Sequence, residues 1–553
     1  MMNGIKRNIY SGITAVILLC GMFCMLANSS ANAQSKKFKL TQGLDVQYNI
    51  LQALATDYVD TVDFGKMINI GIDAMLSSLD PYTEYLPEEN NEAIDMMTTA
   101  TYGGVGAVIK KIDSLGVMIM QPSEGSPAVK SGLEPGDIIL TIDGVDVKPL
   151  TADECSKRMR GNAGTQVKFK VRKGATGELK DIVVTREKIH TSDVPYMGLL
   201  KDSTGALTTD GYIKISGFTL NGAEDVKKAV IGLKEKGAKR LILDLRSNGG
   251  GLMDEAVNIV SLFVPKGTLV VYAKGRGEGT NFSYKTTKEP VDTLIPLMVL
   301  VNSSSASSSE IVAGALQDLD RATIIGTRTY GKGLVQSFRP VGYNGRIKLT
   351  ISKYYTPSGR CVQAMDYTHR NEDGSVGAVP DSLKKPFKTK AGRIVYDGGG
   401  ITPDIEVKGE TNSRPAYALY SAGLLDDWAV EYFMKHKTIA PADKFKLGDG
   451  EYEEFVKFAA DKNFDQRSSA EVIFDRLLNE AKSDGMYEDS KEQYDNLAKK
   501  LKLSKEEMLR LKRDEIKLLL EENIVQKYYY IKGRMECSIR SDIQLHEAVA
   551  KWK

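Results

Sequence analysis

From residue 34 to 98, apolar positions such as Leu51, Leu54 and Tyr58 recur at three- and four-residue spacing, which predicts helices. The segment Leu79-Asp80-Pro81-Tyr82-Thr83-Glu84-Tyr85-Leu86-Pro87 ends that period with turn residues. Between 99 and 188 the pattern shortens to β-branched runs parted by glycine: 104–109, Asp137 to Asp143, Val167 to Val171 and Ile182 to Arg186. Two helical stretches, at Ser126–Val129 and Ala152–Met159, interrupt them, so a small β domain with two helices is expected. Residues 189–408 alternate strand and helix patterns. Leu241 to Leu245 and Leu297 to Val301 read as buried strands, followed by helices near Asp254–Phe263 and Glu310–Gln317. This alternation predicts an α/β layer. From 409 to the end the chain is charged and helical. Its clearest run is Ser504–Tyr528, where Ser504 and Glu507 have capping-box spacing.

The first 33 residues depart from all of these. Lys6 and Arg7 precede an apolar stretch from Ile13 to Leu26, and Ala31-Asn32-Ala33 has the small-x-small form of a cleavage site. At about 14 residues the stretch falls short of the ~20 that span a bilayer. A cleaved export signal is expected, with Gln34 starting the mature chain in a bacterial periplasm or cell envelope. Cys20 and Cys24 leave with it. Cys155, Cys361 and Cys537 remain, an odd and widely spaced set unlike a disulfide framework.

Charge narrows the partners. The 74 basic and 72 acidic residues nearly cancel, and Lys6 and Arg7 account for the whole excess of +2. No net field recruits nucleic acid. Four histidines and few cysteines leave little material for a metal cluster. Glycine, at 51 of 553 residues, points instead to tight turns and sites built from backbone.

Three segments carry candidate chemistry. Val301-Asn302-Ser303-Ser304-Ser305-Ala306-Ser307-Ser308-Ser309-Glu310-Ile311 lies where a strand meets a helix start. The free N–H groups and positive dipole end there suit a developing oxyanion, although serine is also an ordinary N-cap residue. A serine nucleophile needs a base. His190, His369, His436 and His546 are scattered, and Gly331-Lys332-Gly333 offers a lysine that either serves as base or faces solvent in a turn. Gly326–Gly333 matches G-x-x-x-x-G-K, but Gly333 stands where a phosphate loop needs Ser or Thr. The following Leu334–Pro340 alternates like a strand, which excludes the required helix. Asp244–Met253 runs from a strand through three glycines, Gly249, Gly250 and Gly251, that let backbone amides approach a ligand.

Together these segments resemble the carboxyl-terminal processing (tail-specific) serine peptidases. The resemblance covers residues 40–408 and adds Leu79–Leu86, the 99–188 domain, Tyr355-Thr356-Pro357-Ser358-Gly359-Arg360 and Gly400-Ile401-Thr402-Pro403-Asp404. It implies a crotonase-like α/β peptidase core (189–408) with an inserted PDZ-like β domain (99–188) and helical regions at 34–98 and 409–553. It implies a Ser-Lys dyad of Ser307 and Lys332, with Gln336 orienting the lysine and the Ser308 and Gly250 amides as oxyanion donors. Ser308 replaces the family's usual alanine and Gly249 a common proline; the first places a second hydroxyl beside Ser307. The PDZ-like loop Gly104-Val105-Gly106 would take a protein's C-terminal carboxylate, with Arg160 coupling that binding to catalysis. No metal or organic cofactor is implied.

The expected function is thus an exported serine endopeptidase that recognises C-terminal tails of proteins. The rival is a non-catalytic PDZ scaffold on a degenerate peptidase fold. The 409–553 helices leave open packing on the core, homo-oligomer formation and adaptor binding, and peripheral membrane association is compatible with all three.

Overall fold

The computed structural model describes residues 37–552 apart from 113, 114, 203 and 410, so the expected export signal lies outside the described residues. The chain divides into two compact units between Tyr85 and Leu86. In the first, residues 37–57 and Phe64–Ser77 are helical. Asp63 caps the second by accepting from Lys66 N at 3.0 Å. The Asp80 carboxylate folds the following turn by accepting from Tyr82 N and Thr83 N, at 2.8 and 2.9 Å.

In the second unit, a β domain comes first. Five antiparallel strands run in the order Ala107–Ile112, Gly116–Pro122, Ile138–Ile142, Gln166–Arg172 and Leu179–Thr185. Gln166–Arg172 alternates exposed and buried positions and turns Val167, Phe169 and Val171 into the domain's core. Helix Ala152–Met159 forms as expected because Thr151 and Glu154 make a reciprocal capping box. Strand Ala107–Ile112 ends the sheet order and pairs on one side only among the described residues.

The α/β core is a six-stranded sheet ordered Tyr196–Lys201, Leu207–Lys214, Arg240–Asp244, Leu297–Val301, Thr323–Gly326 and Ile405–Glu406. The first pair is antiparallel and the remaining pairs are parallel. Leu297–Val301 is buried at every position, which its unbroken apolar run requires. Helices Gly222–Glu235, Met253–Ser261 and Ser308–Asp318 contribute to the core on one face. Ser308–Asp318 begins two residues before the expected start at Glu310, since serine is at home in a helix's first turn. A strand, Leu334–Gly342, follows Lys332, as the alternation there predicts.

The C-terminal residues are helical and have a core of their own around Trp428, Tyr452, Phe455, Ile516 and Leu520. Ser504 is the N-cap it was expected to be, bonded reciprocally to Glu507. The run from Ser504 is however broken at Lys512 into Lys505–Leu511 and Arg513–Ser538, and the second stretch kinks at Tyr530, whose φ is +56°. The last helix, Ile543–Ala550, lies against the other face of the six-stranded sheet, where Leu545 and Ala548 pack with Tyr212, Ile242, Met298, Leu300 and Ile325. The region also grips the β domain. The buried Lys527 ammonium donates to Met120 O at 3.0 Å and to Asp426 at 2.5 Å, and Lys110 pairs with Asp427 at 2.6 Å. Packing on the core is therefore realised within a single chain. Cys155, Cys361 and Cys537 are all unpaired.

Candidate active site

The three chemistry-bearing segments leave the carboxyl ends of three adjacent parallel strands: Arg240–Asp244, Leu297–Val301 and Thr323–Gly326. Ligand sites of open α/β sheets lie at that edge. Their loops meet there.

In the serine run, most buried hydroxyls are committed to scaffolding. Ser305 Oγ donates to Leu245 O, Ser308 Oγ to Gly251 O and Ser309 Oγ to Asn248 O, at 2.8, 2.8 and 2.9 Å. The second hydroxyl beside Ser307 is thus turned away to a carbonyl. Ser307 differs from these neighbours. It is half-buried, its hydroxyl has no hydrogen-bond partner among the described residues, and its φ is +56°. A non-glycine residue in that region stores strain that the surroundings must hold in place. Ser307 immediately precedes helix Ser308–Asp318, and the Ser308 N–H, at the helix's first turn, has no acceptor among the described residues.

Glu310 holds the turn in place. Its Oε2 accepts from Ser307 N at 2.9 Å and from Lys332 N at 2.8 Å. Its Oε1 accepts from Gly331 N at 2.7 Å and Thr329 Oγ1 at 2.6 Å. The backbones of Ser307 and Lys332 are therefore one shared oxygen apart. Burial pushes the Glu310 carboxyl above its usual range, although the four donors favour its charged form. The Lys332 loop is fixed from the other side as well. A Cβ on Gly331, whose φ is +89°, would stand 2.4 Å from Ala364 Cβ, and Gly333 N donates to Gln363 Oε1 at 2.8 Å. Tyr354 OH donates to Ser307 O at 3.2 Å.

The glycine loop packs directly on the Ser307 turn. A Cβ on Gly250, at φ +101°, would come within 2.8 Å of Ser307 Cβ and 3.0 Å of Ser308 N. No other residue type fits there. Gly249 is exposed with open space around it. The Gly250 N–H, expected as an oxyanion donor, is instead engaged by Asn248 Oδ1 at 2.9 Å. Asn248 is fully buried and ties the two loops together. Its Nδ2 donates to Ile215 O at 2.9 Å, and its carbonyl accepts from Ala306 N at 3.0 Å and from Ser309 Oγ. Gln336 lies on the strand after the lysine loop, where its amide nitrogen donates to Thr350 Oγ1 at 3.1 Å on the paired strand.

Other motifs behind the resemblance are scaffold. Arg360, 1% exposed, donates to Asp318 Oδ1 and Gln317 Oε1 at the end of the Ser307 helix, at 2.8 and 2.7 Å. Asp404 accepts from Ile324 N and Gln317 Nε2.

In the β domain, Gly104 ends strand Thr101–Gly104, paired with Glu187, so the loop ahead of strand Ala107–Ile112 is only Val105 and Gly106. Ala128 N donates to Val105 O at 2.9 Å, and Ser123 N and Ser126 Oγ donate to Gly106 O. Gly106 has φ +75°, and a Cβ there would meet Ser126 Cβ at 2.5 Å. The N–H groups of Val105 and Gly106 have no acceptor among the described residues. Arg160 ends helix Ala152–Met159 and sets its guanidinium 5.8 Å from the centroid of the Tyr102 ring, on the strand that leads into the loop. Sequence reasoning missed Glu310 and Asn248. The one available signal for Glu310 was its capping-box position three residues after Ser307.

Known proteins share these segments. The family model described as Peptidase family S41 matches residues 210–369, a PDZ domain matches 118–173, and the C-terminal helical domain of a probable PDZ-protease matches 415–551. A carboxy-terminal-processing protease of Bartonella bacilliformis is 33% identical over 366 residues, covering 66% of this chain and 81% of that protein. A probable CtpA-like serine protease of Staphylococcus aureus is 36% identical over 317 residues, covering 57% of this chain and 61% of that one. Among solved structures, a photosystem II D1 C-terminal processing protease aligns over 65% of this chain and 86% of its own, at 26% identity and a TM-score of 0.35.

Proposed function

The chain belongs to the carboxy-terminal-processing serine peptidases of family S41, and on that footing we propose that it is an exported endopeptidase that selects substrates by their C-termini and cleaves with a Ser307–Lys332 dyad. One observation carries the dyad: a single buried carboxylate, Glu310, accepts from the backbones of both Ser307 and Lys332, beside an uncommitted Ser307 hydroxyl.

The mechanism follows from those positions. The neutral Lys332 amine takes the Ser307 Oγ proton as Oγ bonds to the scissile carbonyl carbon. Negative charge builds on the carbonyl oxygen, facing the open Ser308 N–H at the helix N-terminus and, once Asn248 yields it, the Gly250 N–H. The Lys332 ammonium then gives its proton to the leaving amine as the C–N bond breaks. Water, deprotonated by the same amine, attacks the acyl-enzyme, and Ser307 leaves with the returned proton. Gln336 orients Lys332 in this reading after turning from Thr350.

Substrate choice falls to the β domain. The free edge of Ala107–Ile112 can take an extended peptide as an added strand, and the Val105 and Gly106 amides can take its terminal carboxylate. Arg160, stacked on Tyr102, sits where it can relay that occupancy. The test compares an unstructured protein substrate with the same substrate amidated at its C-terminus. Amidation is expected to lower kcat/KM by about tenfold or more, a loss of about 1.4 kcal/mol in recognition. Equal rates would remove carboxylate capture, and no cleavage of either would favour the non-catalytic scaffold.

Export rests on Lys6, Arg7 and the apolar stretch from Ile13 to Leu26. N-terminal sequencing of the protein recovered from the cell envelope is expected to begin at Gln34. An intact Met1 would overturn cleavage.

A further inference from the structure

The glycine loop is anchored from an unexpected direction. Arg246 opens it, just past strand Arg240–Asp244, and its guanidinium is shared between two carboxylates. Nη2 donates to Asp244 Oδ2 at 2.6 Å, while Nη1 and Nη2 donate to Asp542 Oδ1 and Oδ2 at 2.8 and 2.5 Å. Gln544 Oε1 accepts a further bond from Nη1 at 3.1 Å. The Asp542 pairing is bidentate, which fixes the plane of the guanidinium as well as its position. Asp542 lies almost three hundred residues away, in the C-terminal helical region.

The surrounding charges balance. Asp244 is fully buried and also accepts from Tyr212 OH at 2.6 Å, from Lys214 Nζ at 3.2 Å and from Arg246 N at 2.8 Å. Burial would raise the Asp244 carboxyl, but Arg246 and Lys214 outweigh it and hold it well below the usual carboxylate range. Lys214 Nζ also donates to Arg246 O at 2.6 Å. Two carboxylates thus face two cations, and removing Asp542 leaves one positive charge in excess at the root of the loop.

Asp542 is itself rigidly placed. As N-cap of helix Ile543–Ala550 it accepts from Leu545 N at 3.0 Å. That helix is pinned to the catalytic sheet by Leu545 and Ala548, and Gln544 Nε2 donates to Val407 O at 2.7 Å. From Arg246 the path to the nucleophile is short. Ser247, at φ +58°, donates its N–H to Asn302 Oδ1 at 2.9 Å. Asn248 and Gly250 then hold the Ser307 turn as described.

We propose that Asp542 is a positioning residue for this peptidase: by clamping Arg246 it sets the loop whose Asn248 and Gly250 support the Ser307 turn. The C-terminal region is then a working part of the active site. The inference rests on Ser307 as nucleophile, and it acts through Arg246 without touching substrate. A displacement of about 1 Å in such a support costs on the order of 100-fold in rate.

The full-length Asp542→Asn variant tests it, because asparagine caps a helix as well as aspartate but lacks the charge. The expected result is a fall in kcat of about 10- to 100-fold on an unstructured protein substrate, with KM within about twofold of wild type. Asp542→Glu, which keeps the charge, should recover part of the lost kcat. Leu545→Ala removes packing from the same helix without touching the ion pair. It should lower the melting temperature while kcat, measured well below that temperature, stays near wild type. Unchanged kcat in Asp542→Asn, or an equal loss of kcat in Leu545→Ala, overturns the proposal. A Ser307→Ala control separates the two readings. If it still cleaves, the nucleophile and the positioning role fall together; if it is dead while Asp542→Asn retains full kcat, only the positioning role falls.

Discussion

Ser307→Ala and Lys332→Ala are each expected to lower kcat by about 10⁴-fold or more, since in the proposed dyad nucleophile and base act as one unit and losing either stops acyl transfer. The structure makes the expectation specific to these two residues. Ser305, Ser308 and Ser309 spend their hydroxyls on backbone carbonyls, so none can take over from Ser307 without breaking a buried bond. Ser308→Ala should therefore leave kcat within a few-fold of wild type. The histidines offer no substitute base. His190 approaches Thr101 Oγ1, His369 bonds Asp366, His436 stacks on Tyr432, and His546 sits exposed on the last helix. Lys332→Arg separates a proton acceptor from a mere positive charge, because the guanidinium stays protonated at any working pH. It should be as inactive as Lys332→Ala. Steady-state cleavage of an unstructured protein, with circular dichroism to confirm folding, checks all four variants. Activity within tenfold of wild type in either lysine variant would sink the dyad.

Much of this arrangement could be read in the sequence, for local reasons. Leu297–Val301 and Ala152–Met159 were legible to the residue because each is set by a short-range pattern, the second closed in the structure by the Thr151–Glu154 capping box. The strand after Lys332 was legible too, from alternation and a nearby proline. What stayed hidden was long-range. Glu310 looks like a first-turn acid, and nothing local shows that its four donors include residues 19 to 22 positions later. Asn248 looks like a turn residue, yet its side chain occupies the Gly250 amide that the run of glycines leads one to expect open to a ligand. The sheet's second face posed the same difficulty. The strands announce two buried faces, but only the folded chain shows that Ile543–Ala550 covers one of them. The break at Lys512 was hidden because an apolar period continues across it.

Glu310 yields the second large effect. Glu310→Ala leaves Ser307 N, Gly331 N, Lys332 N and Thr329 Oγ1 without their acceptor in a buried site. Stranded buried donors cost about 1–3 kcal/mol each before relaxation, so a net stability loss of about 3 kcal/mol is expected in denaturant titrations. Rate should suffer more than stability suggests, because the strained Ser307 backbone and the lysine loop lose their common tether. A fall of about 10²- to 10³-fold in kcat is expected. Glu310→Gln is the sharper variant. A carboxylate accepts at both oxygens, whereas glutamine puts an NH₂ where one of them stood and faces two donors with a third. It should therefore lose nearly as much kcat as alanine, despite its matching shape. Protonation does to wild type what glutamine does permanently, since one oxygen then carries a hydrogen among donors. The carboxyl is raised by burial, so the active, ionised form is lost as pH falls through a value above the ordinary glutamate range. Protonation of the Lys332 base limits both enzymes on the acid side, and wild-type kcat/KM should fall there by a second protonation step that the residual activity of Glu310→Gln lacks. Full activity in Glu310→Gln, or an unaltered acid limb, would show that the two loops hold their register without this carboxylate.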